Sequence, residues 1–242
     1  MDISIAIPAF NEEKKIGHDV EAAAVFIDKE DLSGEVIVVD DGSADRTAEE
    51  ARNATVPSGI GRNIIRLEKN RGKGFAVKTG ILASKGDVVL FADSGACVPF
   101  ANALPQIERI RVGELDIAMA SRRLKGTVIH RNRSLKRRVL SALFRLAARV
   151  VTGVPRRFSD TQCGFKVYRG DRARELFAEC KTAGFLFELE VLLRALKKRY
   201  RIEEFPVEWT CDLDTRLRPG NHAAGVAKEL FSIRSMMKKN KR

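Results

Sequence analysis

Three apolar runs in the first hundred residues each end in side chains suited to binding a ligand. Ile3–Ile7 leads into Pro8-Ala9-Phe10-Asn11-Glu12, Val36–Val39 into Asp40-Asp41-Gly42-Ser43, and Val88–Phe91 into Asp93-Ser94-Gly95. Continuous apolar runs of this kind suit parallel strands buried on both faces. In an open parallel sheet, ligands bind beyond the carboxyl ends of the strands. Acidic groups at three such ends therefore converge on one crevice, although any one of them alone reads equally well as a turn or helix-cap residue. Other chemistries find less support. There is no Walker A sequence, and no GxGxxG follows the first run, which counts against ATPases and nicotinamide dehydrogenases. The three histidines (His18, His130, His222) lie outside the cluster and no GxSxG elbow is present.

The elements needed to hold such a crevice alternate along the first half. Strands are expected at Ile3–Ile7, Glu35–Asp40, Asn63–Leu67, Asp87–Ala92 and Asp116–Ala120. Helices are expected over 12–28, Asp45–Asn53 (with Asp45 as N-cap), Phe75–Ser84 and Leu104–Val112. The rhythm is that of an α/β fold with a mostly parallel sheet. After residue 121 it breaks. A basic helix follows over 135–151, then a short strand at Lys166–Tyr168, helices at Asp171–Cys180 and Leu186–Arg199, a strand at Ile202–Val207 and a last helix at Ala223–Met237. No repeat or low-complexity linker divides the chain. One domain is expected over 1–242, with a nucleotide-sugar-binding half (1–121) and an acceptor-binding half (122–242).

The 242 residues carry 44 Lys+Arg against 32 Asp+Glu, a formal charge of +12, which calls for an anionic partner. The twelve Lys/Arg between Arg122 and Arg157, with no Asp or Glu among them, equal that excess. Over 135–151 they share an amphipathic helix. Leu135, Val139, Leu140, Leu143, Phe144, Leu146, Ala147, Val150 and Val151 fall on one side, and Arg138, Arg145 and Arg149 on the other. Such a helix either packs its apolar side on its own domain with solvated arginines, or lies in a membrane interface. One aromatic residue and no recognised motif argue against nucleic acid. The four cysteines form no CxxC pair, and Cys163 is expected to be buried packing. Trp209 is read as core. The N-terminus lacks a secretory pattern, and no run is long enough to span a bilayer, so a cytoplasmic protein is expected.

The segments IPAFNEEKKI, VIVVDDGSADRT, NRGKGFAVKTGILASKGDVVLFADS, DTQCGFKVYR and FPVEW occur in that order. In this the chain resembles the inverting glycosyltransferases of family 2 with the GT-A fold. It is most similar to the branch that transfers a sugar from a nucleotide to a polyprenyl phosphate, the dolichyl-phosphate glucosyl- and mannosyltransferases. The resemblance runs from about residue 3 to 235, and DTQCGFK points to the glucosyl side. It implies that Pro8, Ala9, Phe10 and Glu12 line the base and ribose, and that Asp40 and Asp41 accept hydrogen bonds there, Asp40 the more directly. Lys73 would sit near the nucleotide. Asp93, followed by Ser94, would open a metal-binding DxD. Arg122, Arg137 and Arg138 would grip the acceptor phosphate. Arg216 would contact the donor diphosphate, and Glu190 would lie on the acceptor side.

One departure stands out. Where the family reads Asp-Ala-Asp, this chain reads Asp93-Ser94-Gly95, so the second carboxylate is missing. Mg²⁺ or Mn²⁺ would keep one carboxylate, diphosphate oxygens and water. Arg216 and the basic cluster would share the task of stabilising the leaving charge. The expected reaction is transfer of a hexose, foremost glucose from UDP-glucose, to a polyprenyl phosphate by a protein peripheral on the cytoplasmic membrane face. Two alternatives are a transferase acting on a soluble or polysaccharide hydroxyl, with Glu188, Glu190 or Asp160 as base, and a non-catalytic nucleotide-sugar-binding scaffold.

Overall fold

The structure, a computed structural model, describes residues 1–130, 135–210 and 223–239. Four of the expected strands form adjacent parallel strands: β1 (Ile3–Ala9), β2 (Gly34–Asp40), β3 (Gly61–Arg66) and β4 (Val88–Ala92). They continue through β7 (Phe165–Arg169), β5 (Ile117–Ser121) and β8 (Ile202–Pro206) into one sheet of order β3-β2-β1-β4-β7-β5-β8. Both halves of the chain therefore build the same sheet. β7 runs antiparallel to both β4 and β5. That reversal brings the 158–164 segment, which precedes β7, to the carboxyl end of β4, where Ala92 pairs with Phe165. Val128–Ile129 (β6) and Glu208–Trp209 (β9) add a two-stranded sheet that was not expected.

Alternation along the strands divides the core between two layers. Val88, Leu90 and Ala92 join Val20, Ala24 and Ile27 of α1 (Ile16–Lys29) and Ile107 of α4 (Leu104–Arg111) on one face. Val89 and Phe91 join Val77 and Ile81 of α3 (Lys73–Ala83), Phe177 of α6 (Gly170–Glu179) and Phe187 and Leu189 of α7 (Phe187–Lys197) on the other. Trp209 is buried in the first of these clusters, as expected. α2 (Thr47–Asn53) begins two residues after Asp45, whose Oδ1 accepts the Thr47 N–H at 3.0 Å. The first helix starts at Ile16, later than expected.

The basic helix forms as α5 (Leu135–Thr152) and packs against α8 (Ala223–Lys239). Its orientation differs from a surface helix with its apolar side inward. Among its described side chains, Phe144, Ala148 and Val151 reach the core. Leu143, Leu146 and Val150 stay 58%, 60% and 73% exposed, beside exposed Val139 and Leu140. The arginine side turns inward: Arg149 donates to the carbonyl of Phe158 at 3.2 Å, and Arg145 and Arg149 line a small surface cleft with Ser159 and Thr161. Among the described residues, no helix is long and apolar enough to cross a membrane.

Candidate active site

The loops after β1 and β2 brace one another. The Asn11 N–H donates to Ser43 Oγ at 2.7 Å, the Ala44 N–H to Asn11 Oδ1 at 2.8 Å, and the Glu12 N–H to Thr47 Oγ1 at 2.7 Å. This holds Pro8, Ala9, Phe10 and Glu12 along one rim of the crevice, with the Phe10 ring exposed. Asp40 is wholly buried at the end of β2 and accepts the Ser43 N–H at 2.9 Å. Its Oδ2 lies 3.3 Å from Arg66 Nε but carries no hydrogen bond. Asp41 is committed to the backbone, accepting the N–H groups of Arg71 (2.7 Å) and Gly72 (2.9 Å). Burial pushes its carboxyl up, and those two N–H groups pull it back. Asp41 therefore shapes the loop that carries Lys73.

That loop is built for close approach. Gly72 has φ +98°, and a Cβ there would lie 2.6 Å from the Ala183 carbonyl oxygen. A Cβ on Gly74 would lie 2.6 Å from that of Thr182. Lys73, the first residue of α3, then reaches Asp93, its Nζ standing 2.8 Å from both Oδ1 and Oδ2. On its other side it faces Glu188 Oε1 at 3.8 Å. Glu188 in turn pairs with Lys166, whose Nζ also donates to the Cys163 carbonyl at 2.7 Å. Asp93, Lys73, Glu188 and Lys166 thus form a chain of alternating charge. Burial works against the Lys73 ammonium, but Asp93 and Glu188 outweigh it and raise its pKa.

Asp93 is seated by Gly164. The Asp93 N–H donates to the Gly164 carbonyl at 2.8 Å, and a Cβ on Gly164 would fall 2.0 Å from Asp93 Oδ2. The turn after Asp93 uses positive φ at Gly95 (+96°) and Ala96 (+45°). Asp19, from α1, holds it by accepting the Gly95 N–H at 2.8 Å. Burial pushes Asp19 up to about 6, against the Gly95 N–H and His18. The charged form therefore costs stability, fully so above pH 6 and not at all below the unfolded value near 4. The melting-temperature difference between Asp19→Asn and wild type should rise between pH 4 and 7. The rise should correspond to about 2–3 kcal/mol, or roughly 5–10 °C for a chain of this size. Melting curves across that range check it, and a difference flat with pH contradicts it.

On the acceptor side Arg122 is not an open phosphate grip. It forms a bidentate pair with buried Asp160 (Nε–Oδ2 2.6 Å, Nη2–Oδ1 2.7 Å), donates through Nη2 to the Gln162 carbonyl at 2.8 Å, and lies over Trp209 at 5.5 Å. Burial opposes the charge on Asp160, but Arg122 holds it at about 2. Glu190 is likewise occupied away from the crevice: fully buried, it accepts the N–H groups of Lys181 (3.1 Å) and Thr182 (2.7 Å) and pairs with Arg194. Residues two apart on a helix face nearly opposite ways, so it is Glu188 that faces Lys73. Cys163 is buried, and burial pushes its thiol up to about 12, too high for a nucleophile. Arg216 lies outside the described residues, as do the side chains of Arg137 and Arg138.

Lys166, Gly164 and Asp19 were not anticipated. A lone lysine in the apolar strand FKVYR was the available signal for the first. Among the described residues the donor set at this position does not fit a divalent metal. Asp93 is its one carboxylate at the DxD position, Gly95 offers no side chain, and the Lys73 ammonium already sits on both Asp93 oxygens. Among the described residues no trio of His, Cys, Asp or Glu could hold a metal ion.

The model of glycosyl transferase family 2 matches residues 4–176. A dolichyl-phosphate beta-glucosyltransferase of Dictyostelium discoideum is 33% identical over 243 residues, covering 96% of this chain and 73% of that protein. Glucosyl-3-phosphoglycerate synthase from Mycobacterium tuberculosis, in complex with phosphoglyceric acid, superposes with a TM-score of 0.71 at 18% identity, covering 98% of this chain and 79% of that one. The same enzyme with Mn²⁺, UDP and glucosyl-3-phosphoglycerate gives 0.66 at 20% identity, over 98% and 79%. These structural neighbours establish the GT-A fold, and the second of them holds Mn²⁺ together with UDP. With its family shown over more than half its length, the chain belongs to glycosyl transferase family 2 and is a nucleotide-sugar-dependent glycosyltransferase.

Proposed function

We propose that the protein transfers glucose from UDP-glucose to a polyprenyl phosphate at the cytoplasmic face of a membrane, with inversion. The observation that carries this reading is that Asp93, Asp160 and Glu188 are each paired with a cation. A hydroxyl acceptor needs a general base to take its proton. Asp160, held at about 2 by Arg122, is a poor one, and Glu188 stands between two ammonium groups. A phosphate acceptor is already ionised and needs no base. Its oxygen attacks the anomeric carbon from the face opposite the diphosphate. The new carbon–oxygen bond forms as the bond to the β-phosphate breaks, and UDP leaves with the electron pair. The names of the relatives, which act on dolichyl phosphate, support the same acceptor.

Such an acceptor needs cations for its head and an apolar surface for its tail, and the two sides of α5 supply them. Arg145 and Arg149 face the cleft beside Ser159 and Thr161. Burial and the guanidinium of Arg123 press Arg145 below the usual arginine value, Asp160 opposes them, and Arg149 and Arg122 add to the pressure, so the cluster holds more positive charge than its carboxylates offset. The opposite side presents Leu143, Leu146 and Val150 outward, at the depth of acyl chains for a helix lying in an anionic membrane surface. Fully burying one leucine is worth about 1.5–3 kcal/mol. Leu143→Ser/Leu146→Ser should therefore weaken binding to vesicles containing anionic lipid by about tenfold or more, with melting unchanged. Co-sedimentation measures this, and unaltered binding would return α5 to an ordinary surface helix.

The reaction is tested by incubating the protein with labelled UDP-glucose and a polyprenyl phosphate. Label extractable into organic solvent is expected. Label passing instead to a soluble hydroxyl acceptor would favour the alternative transferase, and UDP-glucose binding without turnover on any acceptor would favour a scaffold.

A further inference from the structure

The family neighbours place a divalent cation with UDP, yet the carboxylate offered here is already neutralised from within the chain. The Lys73 ammonium lies within 2.8 Å of both Asp93 oxygens. This pairing is built into the backbone. Asp41 fixes the N–H groups of Arg71 and Gly72, and the glycines on either side of Lys73 let the loop sit against the 182–184 carbonyls. Behind it, Lys166 neutralises Glu188, so the four-residue chain carries no net charge. A dication added at Asp93 would stand beside the Lys73 ammonium, and the DxD position supplies no second carboxylate, because residue 95 is glycine.

We propose that Lys73 is the built-in cation of the donor site, filling the place a divalent metal takes in the structural neighbours, so that the nucleoside diphosphate binds without metal. A lysine ammonium has three N–H donors. One serves Asp93 Oδ2, Oδ1 lies as near but accepts no hydrogen bond, and a further donor is available to a diphosphate oxygen. Lys73 thereby meets the charge that develops on the leaving group with a preorganised donor. The inference rests on the donor-site reading above and adds to it where the counter-charge comes from.

Calorimetric titration of UDP into the full chain tests it, once in EDTA and once in Mn²⁺. The expected dissociation constants agree within about threefold. Lys73→Met should weaken UDP binding in EDTA by about tenfold or more, a loss of roughly 1.4 kcal/mol, and Lys73→Arg should keep most of it. The wild-type comparison does not depend on how either variant folds. Binding of UDP in Mn²⁺ that vanishes in EDTA overturns the inference and leaves the donor site standing. No binding under either condition overturns both.

Discussion

Asp93→Asn is expected to lower kcat/KM for glucosyl transfer by about 10²–10³-fold, the usual cost of losing one preorganised electrostatic group. The stability cost should be small, because the carboxylate lies at the crevice and its side chain is 34% exposed. Its loss acts on Lys73, which is aimed by the two Asp93 oxygens and, without them, would swing toward Glu188. Gly164→Ala tests the same arrangement without removing any polar group. The added methyl would overlap Asp93 Oδ2 at 2.0 Å, so the carboxylate must move. Steady-state kinetics on both variants should show comparable losses. Full activity in Gly164→Ala would mean that the position of Asp93 is not what matters.

Arg122→Met should be the most destabilising single change in the acceptor half, by about 3–5 kcal/mol, because it strands the buried Asp160 carboxylate without a partner. Arg122→Met/Asp160→Asn should recover part of that loss, since removing both charges leaves no unpaired one. The pH dependence has a definite sign. The Asp160 value is depressed to about 2 in the folded state, so its stabilisation is present above the unfolded value near 4 and is lost as pH falls toward 2. Wild type should lose stability across that interval more steeply than the double variant. Denaturant melts at several pH values read this directly. A single variant as stable as wild type would show that the pair contributes little.

How much of this was legible beforehand depended on which physical signal each feature leaves in a sequence. The strands that hold Asp40 and Asp93 were plain, because burial on both faces demands an unbroken apolar run. The direction of β7 was not, because a hydrophobic pattern is the same read either way along a strand, and its reversal is what carries Gly164 to Asp93. The two sides of α5 could be drawn from periodicity, but which side faces the body could not. The usual assumption that apolar means inward fails for Leu143, Leu146 and Val150. β6 and β9, at two residues each, are too short to leave a pattern. The resemblance points to Glu190, with Glu188 an equal candidate as base, and only the helix geometry of α7 separates the one that clamps the Lys181–Thr182 backbone from the one that meets Lys73.

The central claim is that one crevice at the strand ends receives the donor while the arginine side of α5 receives a phosphate. A crystal grown with UDP-glucose tests it most directly. The account predicts the uracil and ribose beside Phe10 at the ends of β1 and β2, and the diphosphate against Lys73 and Asp93. A sugar nucleotide bound anywhere else on the molecule would contradict it.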